Sequence, residues 1–211
     1  MKEFSVSMAL VDFIPVILFT IASVILMRDL YNKMSKGAFA LFAAGTIDVT
    51  CAGALKALYK LLYAAGICDF APLSDMFFPV QSIGFLLAGI GLIAMICHKQ
   101  KETTLSAAAP VLFKGTFIFV GCMVAGFGMM NAVLSVLAKK IGKPLLCILF
   151  VLAWVCMLAM GYLSTRDFAE ARMNWIAQGV NILGQGSFLL GTILAHKNGL
   201  AEIRLHGGEE A

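Results

Sequence analysis

The chain has 211 residues, 61% hydrophobic and 13% charged, with a formal charge of +4 at pH 7 and a mean hydropathy of +0.92. A water-soluble domain carries about a quarter charged residues, so this composition excludes one: there is too little polar surface to cover the apolar mass. The basic residues cluster at helix ends without an aromatic-interleaved stripe, which excludes nucleic acid as a partner and leaves the lipid bilayer.

With 16 Phe and only 5 Pro, the apolar residues fall into long helix-compatible runs, not short strands cut by turns. A crossing helix needs roughly 20 residues. The sequence therefore predicts an all-α fold: a polytopic membrane protein with a single transmembrane domain of about six helices. The expected localisation is integral and multi-pass, in the plasma (cytoplasmic) membrane.

In chain order, spans are expected over about 7–27, 37–65, 76–97, 112–137, 145–163 and 175–195. Lys2 and the run that follows imitate a signal peptide, but Asp12 and Pro15 interrupt it and no small-residue cleavage site follows Met27, so a retained first helix is expected. The stretch Arg28–Lys36 ends it. Gly66–Asp75 reads as a turn before helix three, and His98–Thr104 as a polar loop. Gly115, Gly121, Gly126 and Gly128 mark helix four as a close-packing helix. The turn Lys139–Pro144 and the charged loop Ser164–Arg172 bracket helix five. A short polar tail, 196–211, is expected to be frayed or disordered.

Strict alternation puts Arg28, Lys33, Lys36, Lys99, Lys101, Lys114, Arg166 and Arg172 on one side. The other side receives Lys2, Lys139, Lys140, Lys143, Lys197 and Arg204, a weak bias toward both chain ends outside. Phe70-Ala71 precedes His98-Lys99 by the interval at which Phe168-Ala169 precedes His196-Lys197, which pairs helix three with helix six. Two three-helix units in strictly alternating series would face opposite ways, a 3+3 inverted repeat.

Asp48 lies well inside helix two, where an ionisable side chain costs about 2.5–3.5 kcal/mol, so it should face protein or water and is a candidate cation or proton site. At about 100° per residue, Asp48, Ala52, Lys56, Tyr59 and Tyr63 share a sector of about 80°, with Lys60 just beyond it. Asp48 and Lys56 are about 12 Å apart along the axis, so each needs a partner elsewhere. Lys56 is a candidate anion contact, and the bland alternative has both lysines snorkelling to the interface.

In helix six, Asn174, Gln178, Asn181 and Gln185 recur at i, i+4, i+7 and i+11, within about 40° of one another, and Thr192 continues the line. Unpartnered carboxamides in hydrocarbon cost several kcal/mol each, so the stripe must either glue helices together or wall a polar cavity. Gln81, Ser82 and Asn131 could join it. Trp154 reads as a packing residue and Trp175 as an interface anchor.

These residues point to a membrane transporter, channel or solute-binding membrane subunit for a small polar or charged solute or a cation, acting alone, as a homo-oligomer or with a partner membrane subunit. The alternative is a structural or accessory subunit of a larger membrane complex. An intramembrane enzyme has less support, since His98, His196 and His206 lie outside the spans or at their ends and no GxSxG, HExxH or paired-Asp motif occurs. No catalytic residue, cofactor or metal is expected: Cys51, Cys68, Cys97, Cys122, Cys147 and Cys156 stand singly, as small hydrophobes do.

Overall fold

A computed structural model describes residues 5–97, 116–163 and 171–205. The elements are α1 (Val6–Val11), α2 (Phe13–Leu30), a 3-10 turn (Tyr31–Lys33), α3 (Lys36–Ala65), α4 (Pro72–Asp75), α5 (Phe77–Cys97), α6 (Thr116–Lys140), α7 (Leu146–Leu163) and α8 (Ala171–Lys197). Five segments are long and apolar enough to cross a bilayer: Val6–Lys33, Lys36–Ala65, Pro72–Cys97, Ile118–Lys140 and Leu146–Leu163. The chain is a multi-pass integral membrane protein. At 27 residues α8 is also long enough, but it is the most polar of the long helices.

Local chemistry sets the boundaries. The Met8 N–H donates to Ser5 Oγ and the Ala38 N–H to Ser35 Oγ, each at 3.2 Å, starting α1 and α3. Pro15 has no N–H to offer the Val11 carbonyl, and α1 gives way to α2 at Asp12. Gly66, at φ 73°, ends α3 in the left-handed conformation. The expected start of the fourth span, at 112, lies outside the described residues. The expected frayed tail is corrected as far as Leu205. Gly199, at φ 92°, turns the chain so that Leu200 is fully buried, and Lys33 Nζ donates to the Ala201 carbonyl at 2.6 Å.

The long helices pack in the order α2, α3, α5, α6, α7, α8, and α8 closes on α2. Phe19, Phe85, Phe127 and Phe188, from α2, α5, α6 and α8, meet at the centre, all buried. Their ring centroids lie 5.6 Å apart for Phe19 and Phe85, 5.1 Å for Phe85 and Phe127, 5.2 Å for Phe127 and Phe188, and 5.9 Å for Phe19 and Phe188.

Contact register fixes the direction of each helix. Phe19 stacks on Phe188, and further along both helices Asp29 meets His196, so α2 and α8 run the same way. Phe85 meets Phe127, and a Cβ on Gly89 would touch the Met129 side chain at 3.0 Å, so α5 and α6 also run the same way. Residues 98–115, between them, lie outside the described residues. Successive described helices running in one direction break the strict alternation behind the inverted repeat. The two three-helix units, α2-α3-α5 and α6-α7-α8, therefore face the same way.

The glycine contacts show how closely the units correspond. A Cβ on Gly84 would stand 2.8 Å from the Gly45 carbonyl oxygen and 3.0 Å from Asp48 Cβ, whereas one on Gly184 would stand 3.6 Å from the Ala153 oxygen and 2.8 Å from Cys156 Cβ. Gly91 likewise faces Phe42, as Gly191 faces Phe150. The offset is 100 residues from α5 to α8 (Gly84 to Gly184, Gly91 to Gly191) and 108 from α3 to α7 (Gly45 to Ala153, Phe42 to Phe150). Helices three and six thus correspond, but in parallel and at an offset of 100 residues, two more than the 98 of the Phe-Ala and His-Lys spacing, whose members His98, Lys99, Phe168 and Ala169 lie outside the described residues.

With the directions known, the basic residues sort by end. The end holding the C-termini of α2, α5, α6 and α8 carries Arg28, Lys33, Lys36, Lys139, Lys140, Lys143, Lys197 and Arg204. At the opposite end the described residues carry Lys56, Lys60 and Arg172 against Asp12, Asp69 and Asp75.

Candidate functional site

A cavity of about 320 Å³ lies between the two units, on the side of the Phe cluster away from the basic end. It is partly open. Its lining runs from Tyr59, Lys60 and Ser74, near the α3–α5 connection, down to Phe19, Phe85 and Gln185. Corresponding positions wall it from both sides: Val16 with Val124, Val49 with Met157, Gly53 with Gly161, and Gln81 with Asn181. The cavity therefore follows the axis that relates the units.

Six of the residues singled out in the sequence meet here. Lys56 from α3, Gln81 from α5, and Asn174, Gln178, Asn181 and Gln185 from α8 all line the cavity. The α8 stripe faces inward, with Asn174 5%, Gln178 7% and Gln185 8% exposed, so it is enclosed within the single chain. Buried oxygens of Gln81, Gln178 and Gln185 make no hydrogen bond to the described protein. Because carboxamide oxygen and nitrogen are interchangeable by a flip, each of these groups presents an unfilled hydrogen-bonding position in any orientation.

Two expected members stand apart. Asp48 is not on the cavity wall; its Cβ packs where α3 crosses Gly84 of α5. The seam on α3 is wide enough that its two ends face different surroundings. Asn131 is buried, and its Nδ2 donates to the Phe127 carbonyl at 2.8 Å, back along its own helix. Ser82 behaves alike, donating to the Pro79 carbonyl at 2.9 Å. Thr192 is fully buried, one turn beyond the cluster residue Phe188. Trp154 fills its packing role, with Nε1 donating to the Val124 carbonyl at 3.1 Å, and Trp175 is exposed in the first turns of α8.

The charge arrangement could not be read from spacing. Lys60 Nζ lies 2.6 Å from Asp12 Oδ2, and both side chains are largely buried, at 13% and 11% exposed. Lys56 Nζ sits 3.6 Å from the centroid of the Phe77 ring and 5.2 Å from that of Phe78, a cation–π contact in place of an ion pair. Asp12 and Phe77 were visible in the sequence only as an interruption and as apolar mass.

At the opposite end the bundle is closed. His196 Nδ1 lies 2.8 Å from Asp29 Oδ2, and Arg28 Nη2 lies 2.9 Å from His196 Nε2. A guanidinium can only donate, so Nε2 accepts from Arg28 and Nδ1 is left to donate to the Asp29 carboxylate. Comparison with known proteins finds no matching family, and neither a similar curated protein nor a similar solved structure.

Proposed function

We propose that this chain is a membrane carrier for a small polar or charged solute, with α8 as its sixth crossing helix and the cavity as the solute site. One observation carries the reading: a cavity with a mostly apolar lining, into which a lysine and the α8 carboxamides are set, lies at the interface of two like-facing units and on one side of the Phe cluster only. Secondary transporters are commonly built from such internal repeats, parallel or inverted, with the solute bound near the midplane between them. Among the described residues the four buried rings of the Phe cluster fill the centre of the bundle beneath the cavity, which favours a carrier over a channel. Enclosure of the α8 stripe within one chain favours a solute cavity over a surface awaiting a partner subunit.

The basic end belongs on the cytoplasmic side by the positive-inside rule, so the cavity lies in the outer half of the bundle and the His196 end faces in. Strict alternation put the stretch after α8 outside; this orientation puts it inside. Rocking of one unit against the other would part the Phe cluster and the Asp29–His196 contact and expose the same cavity inward.

The test is two-sided accessibility. Gln178→Cys, in a background without the native cysteines, is expected to react with a membrane-impermeant maleimide added from outside and, more slowly, from inside sealed vesicles. Reaction from one side only, under every condition, would leave a receptor-like or accessory subunit in place of a carrier.

A further inference from the structure

We infer that the solute is a small organic monoanion, bound with its carboxylate at Lys56 and its remaining hydrogen-bonding groups toward Gln178 and Gln185. The inference rests on the carrier reading and names the class of solute.

Among the described residues, the charged groups on the cavity wall are Asp12, Lys56 and Lys60. Asp12 is engaged by Lys60 at 2.6 Å, and that pair is neutral overall. What remains is the Lys56 ammonium, which has no carboxylate within ion-pairing distance among the described residues and lies against the Phe77 face. A desolvated cation without a counter-ion is costly, and a ring face offsets only part of that cost. An anion entering the cavity completes the pair. A cationic solute would meet the same ammonium, and among the described residues the one carboxylate on the wall, Asp12, is already engaged by Lys60, which disfavours a cation.

The opposite wall supplies the second half of the recognition. Correspondence between the units breaks down here: Phe78 of α5 matches Gln178 of α8, and Phe85 matches Gln185, by the same 100-residue offset as the glycines. The first unit thus gives charge and aromatic surface, and the second gives neutral carboxamides. Gln178 and Gln185 are more than nine-tenths buried, and each has an oxygen without a partner in the described protein. Unfilled hydrogen-bonding positions of this kind select for a polar solute, and one without a hydrogen-bonding group leaves them unpaired. At about 320 Å³ the cavity is at the small end for organic ligands. Chloride would satisfy Lys56 while leaving the carboxamides unfilled, and neither chloride nor phosphate offers apolar surface to the Phe77 and Phe78 rings.

The experiment compares acids with their own amides. Thermal unfolding of the detergent-purified full chain is followed with nicotinate and nicotinamide, lactate and lactamide, and N-acetylglycine and N-acetylglycinamide. Each is added at about 10 mM, where even millimolar binding raises stability. Chloride, phosphate and tetramethylammonium serve as controls. The expected result is that at least one acid stabilises with an apparent affinity about tenfold above that of its amide, and above chloride and phosphate. Lys56→Met should bring that acid and amide to parity, and Lys56→Arg should keep them apart. Stabilisation by amides, by tetramethylammonium or equally by phosphate would overturn the inference while leaving the carrier reading standing. If no compound stabilises the wild type, the inference falls, while two-sided labelling of Gln178→Cys still decides the carrier reading. Should Lys56→Met not fold, the wild-type comparison of acid with amide decides the matter.

Discussion

Asp12 and Lys60 are separated by most of two helices in sequence, yet their side chains meet at 2.6 Å on the wall of the cavity. The contact ties the α1–α2 break to the last turns of α3. Removing one partner of a buried pair leaves an uncompensated charge and typically costs about 3–5 kcal/mol, whereas replacing both by apolar groups is often neutral. Asp12→Asn is expected to lower the thermal stability of the purified protein by an amount of that order. The double variant Asp12→Asn/Lys60→Met should recover most of it. If the single variant melts with the wild type, the pair is not holding the fold.

The native cysteines report orientation. Cys68 is exposed in the turn after α3, at the cavity end, and Cys97 is exposed at the end of α5, toward the basic end. In intact cells expressing variants with only one of the two retained, a membrane-impermeant maleimide should label Cys68 and not Cys97. The reverse pattern would turn the protein over and make the cavity cytoplasmic.

Helix contact at glycine gives a paired expectation. A Cβ on Gly126 would stand 2.5 Å from the Phe85 carbonyl oxygen, backbone that cannot give way, whereas a Cβ on Gly121 meets nothing within 4 Å. Gly126→Ala should destabilise by about 1–3 kcal/mol through overpacking. Gly121→Ala, on the same helix, should be neutral or stabilise by up to about 1 kcal/mol, because alanine is the better helix former. Equal effects in a denaturant titration would mean that α5 and α6 are not this close.

Much of the architecture was legible in the sequence because lipid imposes a simple rule: apolar runs of crossing length become helices. The α3 and α7 boundaries fall within a residue of their expected places for that reason. Direction was not legible. Alternation is assumed when only spans are counted, and the parallel course of α5 and α6 rests on contacts such as Phe85 with Phe127, which no sequence period encodes. At the site, the α8 stripe was readable because four carboxamides at helical spacing have few reasons to exist. Asp48 looked equally special and lies elsewhere, because a helix seam says which residues share a face and not how far along it a cavity extends. Asp12 was passed over since its partner, Lys60, comes from another helix.

The closed end should loosen when its polar contact is cut. Asp29 is buried and takes the His196 Nδ1 contact at 2.8 Å. Asp29→Asn keeps the shape but weakens a charge-assisted bond, a loss of about 1–3 kcal/mol. The expected outcome is faster labelling of Gln178→Cys from the cytoplasmic side in sealed vesicles. Unchanged labelling from that side would show that the seal resides in the Phe cluster alone.

The most direct measurement is the environment of α8 in a membrane. Spin labels at Asn181→Cys, on the cavity wall, and at Leu183→Cys, 53% exposed on the outer face, would be compared in liposomes. Relaxation by a water-soluble nickel chelate and by lipid-soluble oxygen reports the two environments. A solute cavity beside a crossing helix requires the chelate to dominate at position 181 and oxygen at position 183. Oxygen dominating at both, or neither reagent reaching 181, would contradict a water-accessible cavity and leave the carboxamide stripe as packing within the bundle.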